Sequence, residues 1–123
     1  MDRVAEELKA RTKRFATKVL DFVETLPKTA AGTAIAKQHS RSGLGLAGNY
    51  RSSCRARSHA EFTARLGIVL EEADESELWL DISDDKRWGN PALRSWLLDE
   101  AGQLRAIFSK ACLTARAKER RSP

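Results

Sequence analysis

Residues Arg41-Ser42-Gly43-Leu44-Gly45-Leu46-Ala47-Gly48-Asn49-Tyr50-Arg51 decide how the chain folds. Gly43, Gly45 and Gly48 have the spacing of a dinucleotide-binding fingerprint, which needs a strand before it and a βαβ unit around it. The preceding residues, Lys37-Gln38-His39-Ser40-Arg41-Ser42, do not alternate as a strand does, and no second strand pattern occurs. No Gly-Lys-Ser/Thr sequence follows, so the P-loop reading falls as well. The stretch therefore reads as the middle of a long helix. A glycine there costs about 0.5–1 kcal/mol against alanine. Close helix packing, a ligand or a partner chain must offset that cost.

On both sides the pattern is helical. The first helix spans about 2–25, with Asp2 as N-cap and apolar positions Val4, Leu8, Phe15, Val19, Phe22 and Leu26. Leu26-Pro27 ends it, because the residue before proline is pushed out of the α region. The second spans about 30–56 on a weak line of Ile35, Gln38, Ser42, Gly45, Asn49 and Ser53. The third, about 58–84, opens on a capping box, Ser58-His59-Ala60-Glu61, in which the glutamate reaches back to the serine N–H. It continues along Phe62, Leu66, Val69, Ala73, Ser76 and Leu80. Gly89-Asn90-Pro91 marks the next boundary, and the fourth helix spans about 91–118. The tail, Ser122-Pro123, is expected to be disordered. The expectation is one domain over 1–123, all-α, an up-down-up-down antiparallel four-helix bundle.

A reversal near Arg57 would set Leu66 near Asn49, Ile35 near Leu80 and Glu72 near 41–43. Arg41 with Glu72 is then the expected structural polar pair. Ile68, Leu78 and Trp79 fall off the core line of their helix. Such a second apolar flank is covered either within the bundle or at an oligomer interface.

Net charge is +5, unevenly spread. Residues 71–85 hold eight acids and no base, while Thr25 to Ala60 hold six bases and no acid. A basic body suits phosphate neutralisation, or a charge-complementary subunit interface. The candidate nucleic-acid-binding set is Lys13, Arg14 and Lys18 on the first helix with Arg51, Arg55 and Arg57 at the end of the second. Basic residues on helix surfaces are commonly just solvated, and no zinc-finger, RNA-recognition or helix-turn-helix signature accompanies these. No apolar run reaches the ~18–20 residues needed to span a membrane. The N-terminus lacks the pattern of a secretory signal, and two cysteines without CxxC spacing suggest free thiols in a reducing cytoplasm. No cofactor is expected. Neither His39 nor His59 has a glutamate three residues before it, so the di-metal bundle arrangement is missing. Cys54 and His59 are near each other but have no convincing third member for nucleophilic catalysis.

Arg41-Ser42-Gly43, Gly48-Asn49-Tyr50-Arg51, Cys54-Arg55-Ala56 with Ser58, Phe62, Leu66-Gly67-Ile68, Leu70-Glu71-Glu72-Ala73-Asp74-Glu75 and Trp79-Leu80 form an ordered set. It resembles the four-helix-bundle family encoded within intervening sequences of bacterial 23S ribosomal RNA genes. Phe15, Val19 and Leu26-Pro27-Lys28 extend the likeness to roughly residues 13–115. The resemblance implies a bundle that assembles into a ring-like homopentamer. It also implies kinship with the accessory protein of diversity-generating retroelements, a basic pentamer that binds nucleic acid and associates with a reverse transcriptase. No catalytic residue is known for the family, so none carries over; the stretch Ser42 to Tyr50 and Glu72 look structural. Leu44-Gly45-Leu46-Ala47 replaces a more β-branched segment, and Ser76 stands where threonine is common. The expected function is a non-enzymatic homo-oligomer that binds RNA or DNA or serves a reverse transcriptase. The alternatives are a scaffold for a protein partner without nucleic acid and, third, a metal-binding bundle enzyme.

Overall fold

The computed structural model describes residues 2–121. These form four helices, α1 (Arg3–Val23), α2 (Ala30–Ser53), α3 (His59–Lys86) and α4 (Pro91–Arg121), with no strand among the described residues. The tail at 122–123 lies outside them.

Local chemistry sets each helix end. Asp2 accepts the Val4 N–H at 3.0 Å and starts α1. Thr29 does the same for α2 through the Gly32 N–H. A Cβ on Gly32 would strike the Pro27 carbonyl, so only glycine lets the chain double back so tightly there. Ser58 caps α3 through the Glu61 N–H at 3.1 Å. Glu61 in turn accepts from the Arg57 N–H, one residue earlier than the expected Ser58 N–H. α3 closes with Arg87 at φ 56 and Gly89 at φ 79, and Asn90 then caps α4 through the Leu93 N–H.

Consecutive helices run antiparallel. Val19 packs on Gly43 and Phe22 on His39 across α1 and α2. Ser76 donates to Ser42 at 3.0 Å across α2 and α3. Arg105 donates to Glu77 across α3 and α4. Arg11 bonds Glu100, and Lys18 lies over Trp96, across α1 and α4. The result is an all-α four-helix bundle whose core centres on Phe15, Phe22, Leu46, Leu66, Leu104 and Phe108, each at most 2% exposed.

The α3–α4 turn is fastened to the end of α1. The Asn90 N–H donates to Thr25 Oγ1, and that hydroxyl donates to the Phe22 carbonyl. Arg94, buried, donates to Asp84 at 2.9 Å and to the Trp88 carbonyl at 2.8 Å. At the opposite end His59 Nε2 lies 2.9 Å from the Ala115 carbonyl of α4.

Three sequence expectations are corrected. The line through α2 is rotated by one residue: His39 is fully buried and Gln38 exposed, because Gly43 and Ser42 turn towards α1 and α3 together. Val4 is 60% exposed instead of in the core, where α1 stands away from α4. The α2–α3 register is two to three residues later than a reversal at Arg57 requires, since α3 begins only at His59. Glu72 therefore lies over Gly45, and Ser42 meets Ser76.

Candidate nucleic-acid interface

α1 and α2 pack side by side. Between them lies a groove of roughly 580 Å³, walled by Lys9 and Lys13 on α1 and by Arg51 and Arg55 at the end of α2. Lys9 and Lys13 are spaced by four residues and share one face of α1, while Arg55 follows directly after the C-cap of α2, Cys54. The floor is Ala10, Ala47 and Gly48. A Cβ at Gly48 would meet nothing within 4 Å, so the floor is open there. Small residues on the floor leave the cationic walls free to reach a ligand between them.

The α2 C-terminus explains part of this composition. Unpaired carbonyls give a helix end a partial negative charge, which Arg51 in the last turn complements. Lys9 is paired to Glu6, the one carboxylate lining the groove, at 3.1 Å. Among the described residues no ion pair engages Lys13, Arg51 or Arg55.

The six expected basic residues do not form one patch. Lys13, Arg51 and Arg55 meet in the groove. Lys18 is turned to the other side of α1, with Nζ 5.2 Å from the centre of the Trp96 ring. Arg14, between Arg11 and Lys18 in the helical repeat, stays on that flank. Arg57 sits in the α2–α3 turn, where its N–H holds the Glu61 carboxylate and so pulls that carboxyl below its ordinary range. Lys9, Ala10, Ala47 and Gly48 were missing from the expected site. The i,i+4 spacing of Lys9 with Lys13 was the signal that could have added the first.

Arg41 reaches two carboxylates. Its Nη2 donates to Glu75 at 2.8 Å, while Nη1 lies 3.8 Å from Glu72. The stronger tie is thus to Glu75, as the later register dictates. Glu72 is nearly buried, and burial first, then the Glu75 charge, holds its carboxyl above the usual range against the pull of Arg41.

Ile68, Leu78 and Trp79 do not share a face. Ile68 and Trp79 are eleven residues apart, close to three turns, and lie on the flank towards α2. Leu78 points to the α4 side, in an acidic cleft with Asp74, Glu77, Asp81 and Leu98. Ile68 is 41% and Leu78 49% exposed, whereas the Trp79 Nε1 is buried without a hydrogen-bond partner.

His59 turns to α4: its Nε2 lies 2.9 Å from the Ala115 carbonyl, which only accepts, so that nitrogen carries the hydrogen. This directs it away from Cys54, the C-cap of α2. Among the described residues no group of three or more His, Cys, Asp or Glu is placed to hold a metal ion, and no helix is long and apolar enough to cross a membrane.

No protein-family model and no curated protein matches the chain. Among solved structures, it is similar to a protein of unknown function from the S23 ribosomal protein family of Bacteroides thetaiotaomicron. The two superpose with a TM-score of 0.76 at 23% identity, over 85% of this chain and 96% of the other. At that identity the likeness is one of fold.

Proposed function

We propose that this protein is a non-enzymatic accessory that binds the phosphate backbone of nucleic acid in the α1–α2 groove. The observation that carries the reading is the convergence of Lys13, Arg51 and Arg55, none held by an intramolecular ion pair among the described residues, over an open floor at Gly48. No aromatic side chain lines the groove, so nothing there stacks on bases. Binding is then independent of sequence and driven by counterion release. Self-association, as the pentamer that the family resemblance implies, would repeat the groove around a ring and multiply its affinity. A reverse transcriptase is the protein partner implied by the same resemblance. The free thiols of Cys54 and Cys112 suit a reducing, cytoplasmic setting.

The test is fluorescence anisotropy with mixed-sequence RNA and DNA, single- and double-stranded, over a salt series. For about three phosphates neutralised per groove, log K against log salt falls with a slope near −3 on duplex DNA. Lys13→Glu, Arg51→Glu and Arg55→Glu together should flatten that slope, while Arg14→Glu, outside the groove, should change it little. Absence of salt-sensitive binding by the wild-type protein at low salt would sink the reading.

A second reading is a scaffold that binds a protein and never touches nucleic acid. The exposed Ile68 and Leu78 favour it. A pull-down repeated after nuclease treatment separates the two: a retained partner supports the scaffold.

A further inference from the structure

Of the four bases that wall the α1–α2 groove, one is already taken. Glu6, Lys9, Ala10 and Lys13 recur at steps of three and four along α1, and all of them line the groove. Within that stripe the Glu6 carboxylate accepts from Lys9 Nζ at 3.1 Å. Among the described residues it pairs with no other base, and it is the one carboxylate in the lining. Lys13, Arg51 and Arg55 have no such tie among the described residues. The pair is shallow: the Lys9 side chain is 31% exposed and that of Glu6 47%. An ion pair so open to water is weak, and a competing anion readily exchanges with it. Glu7 provides the contrast. It carries the same charge one residue on, but turns to Arg3 at 3.2 Å and is no part of the groove.

We propose that Glu6 is a built-in competitor of nucleic acid: its carboxylate holds Lys9 in the free protein and limits the groove's hold on phosphate. This rests on the reading of the groove as a phosphate site and adds the regulation of that site. The cations released on binding follow the positive charge that a site brings to the phosphates. With Glu6 beside it, Lys9 adds almost no net charge, and the walls present the charge of Lys13, Arg51 and Arg55 alone. Lys9 Nζ can move from the carboxylate to a phosphate oxygen, but Glu6 then stays at the groove's edge as a charge of the ligand's own sign. Its repulsion offsets what the new contact contributes. Loss of the Glu6 charge would therefore do two things at once. It would remove the repulsion, and it would turn Lys9 into a fourth uncommitted base on the stripe that already carries Lys13.

The experiment compares Glu6→Gln with Glu7→Gln, which removes the same unit of charge outside the groove. Both positions are exposed, so each variant keeps the fold. Fluorescence anisotropy with a mixed-sequence DNA duplex over a salt series reads the two. Glu6→Gln should bind about fivefold tighter at low salt. It should also steepen log K against log salt by about one unit, the increment of one further phosphate contact. Glu7→Gln should keep the wild-type slope. Lys9→Gln in the Glu6→Gln background should restore the wild-type slope, which assigns the gained contact to Lys9. Equal changes in Glu6→Gln and Glu7→Gln would reduce the effect to bulk charge and overturn the proposal. So would an unchanged slope in Glu6→Gln beside a salt-sensitive wild type, a result that leaves the phosphate-site reading standing. Absence of salt-sensitive binding by both the wild type and Glu6→Gln would sink the two together.

Discussion

The Glu72 carboxylate occupies the space that a Cβ on Gly45 would fill. A glycine on α2 thus makes room for a nearly buried acid on α3. Because the displaced atoms are the far end of a flexible side chain, Gly45→Ala can push the carboxylate outward. Its gain in helix propensity, about 1 kcal/mol, should then be largely cancelled. In a Glu72→Ala background the same substitution should gain the full amount. Urea unfolding of the four proteins gives the coupling; a value below about 0.5 kcal/mol, the floor for residues in contact, would remove the relationship.

The other two glycines of that stretch should behave differently from each other. At Gly48 nothing lies within reach of a Cβ, so Gly48→Ala should stabilise by about 1 kcal/mol. At Gly43 a Cβ would sit 3.1–3.2 Å from three side-chain atoms of Val19, which is wholly buried and stiff at χ1. Gly43→Ala should therefore lose most or all of that gain. Thermal unfolding checks both: Gly48→Ala should melt highest, and equal midpoints would contradict the packing difference.

His39 gives the fold an acid sensitivity. Both ring nitrogens are buried without partners, and burial pushes the imidazole down to about 4. Unfolded, it titrates near 6.5. Between those values the unfolded chain binds more protons, so stability is full above pH 6.5 and is lost as pH falls towards 4. The loss is on the order of 3 kcal/mol. Glu72 works in the opposite sense, since a carboxyl held above its ordinary range favours the folded state on protonation. Denaturant midpoints at pH 7 and pH 4.5 should show a fall that His39→Leu largely removes; an equal fall in the variant would assign the sensitivity elsewhere.

Self-association through the α3 flank has a clean probe at Ile68. Ile68→Glu places its charge in solvent and should leave the monomer folded while lowering the mass in solution. Trp79→Glu should instead destabilise the monomer, because its indole nitrogen is already enclosed. Wild-type protein that scatters as a monomer at micromolar concentration would end the pentamer reading.

Helices, their order and the turn at Gly89-Asn90-Pro91 were legible because capping residues and apolar spacing act locally. Register was less so. Whether Arg41 meets Glu72 or Glu75 turns on where α3 starts, and one residue of helix rotates a side chain by about 100°. The phase of α2 was misread because its core line is built from Ser42, Gly43 and His39, which carry little hydrophobic signal. The basic groove was half legible: the residue types were plain, but only the packing of α1 on α2 could separate Lys13 from Lys18.

The fastening of the Asn90 N–H to Thr25 clamps the end of the molecule where α1 finishes and α4 begins. The basic groove opens at the other end, beside the first turns of α1. Amide hydrogen exchange should accordingly be graded along the bundle, slowest around Phe22 and Leu97 and fastest at 3–8 and 54–58. A ligand in that groove would hold this stretch of α1. It would slow exchange at amides it never touches.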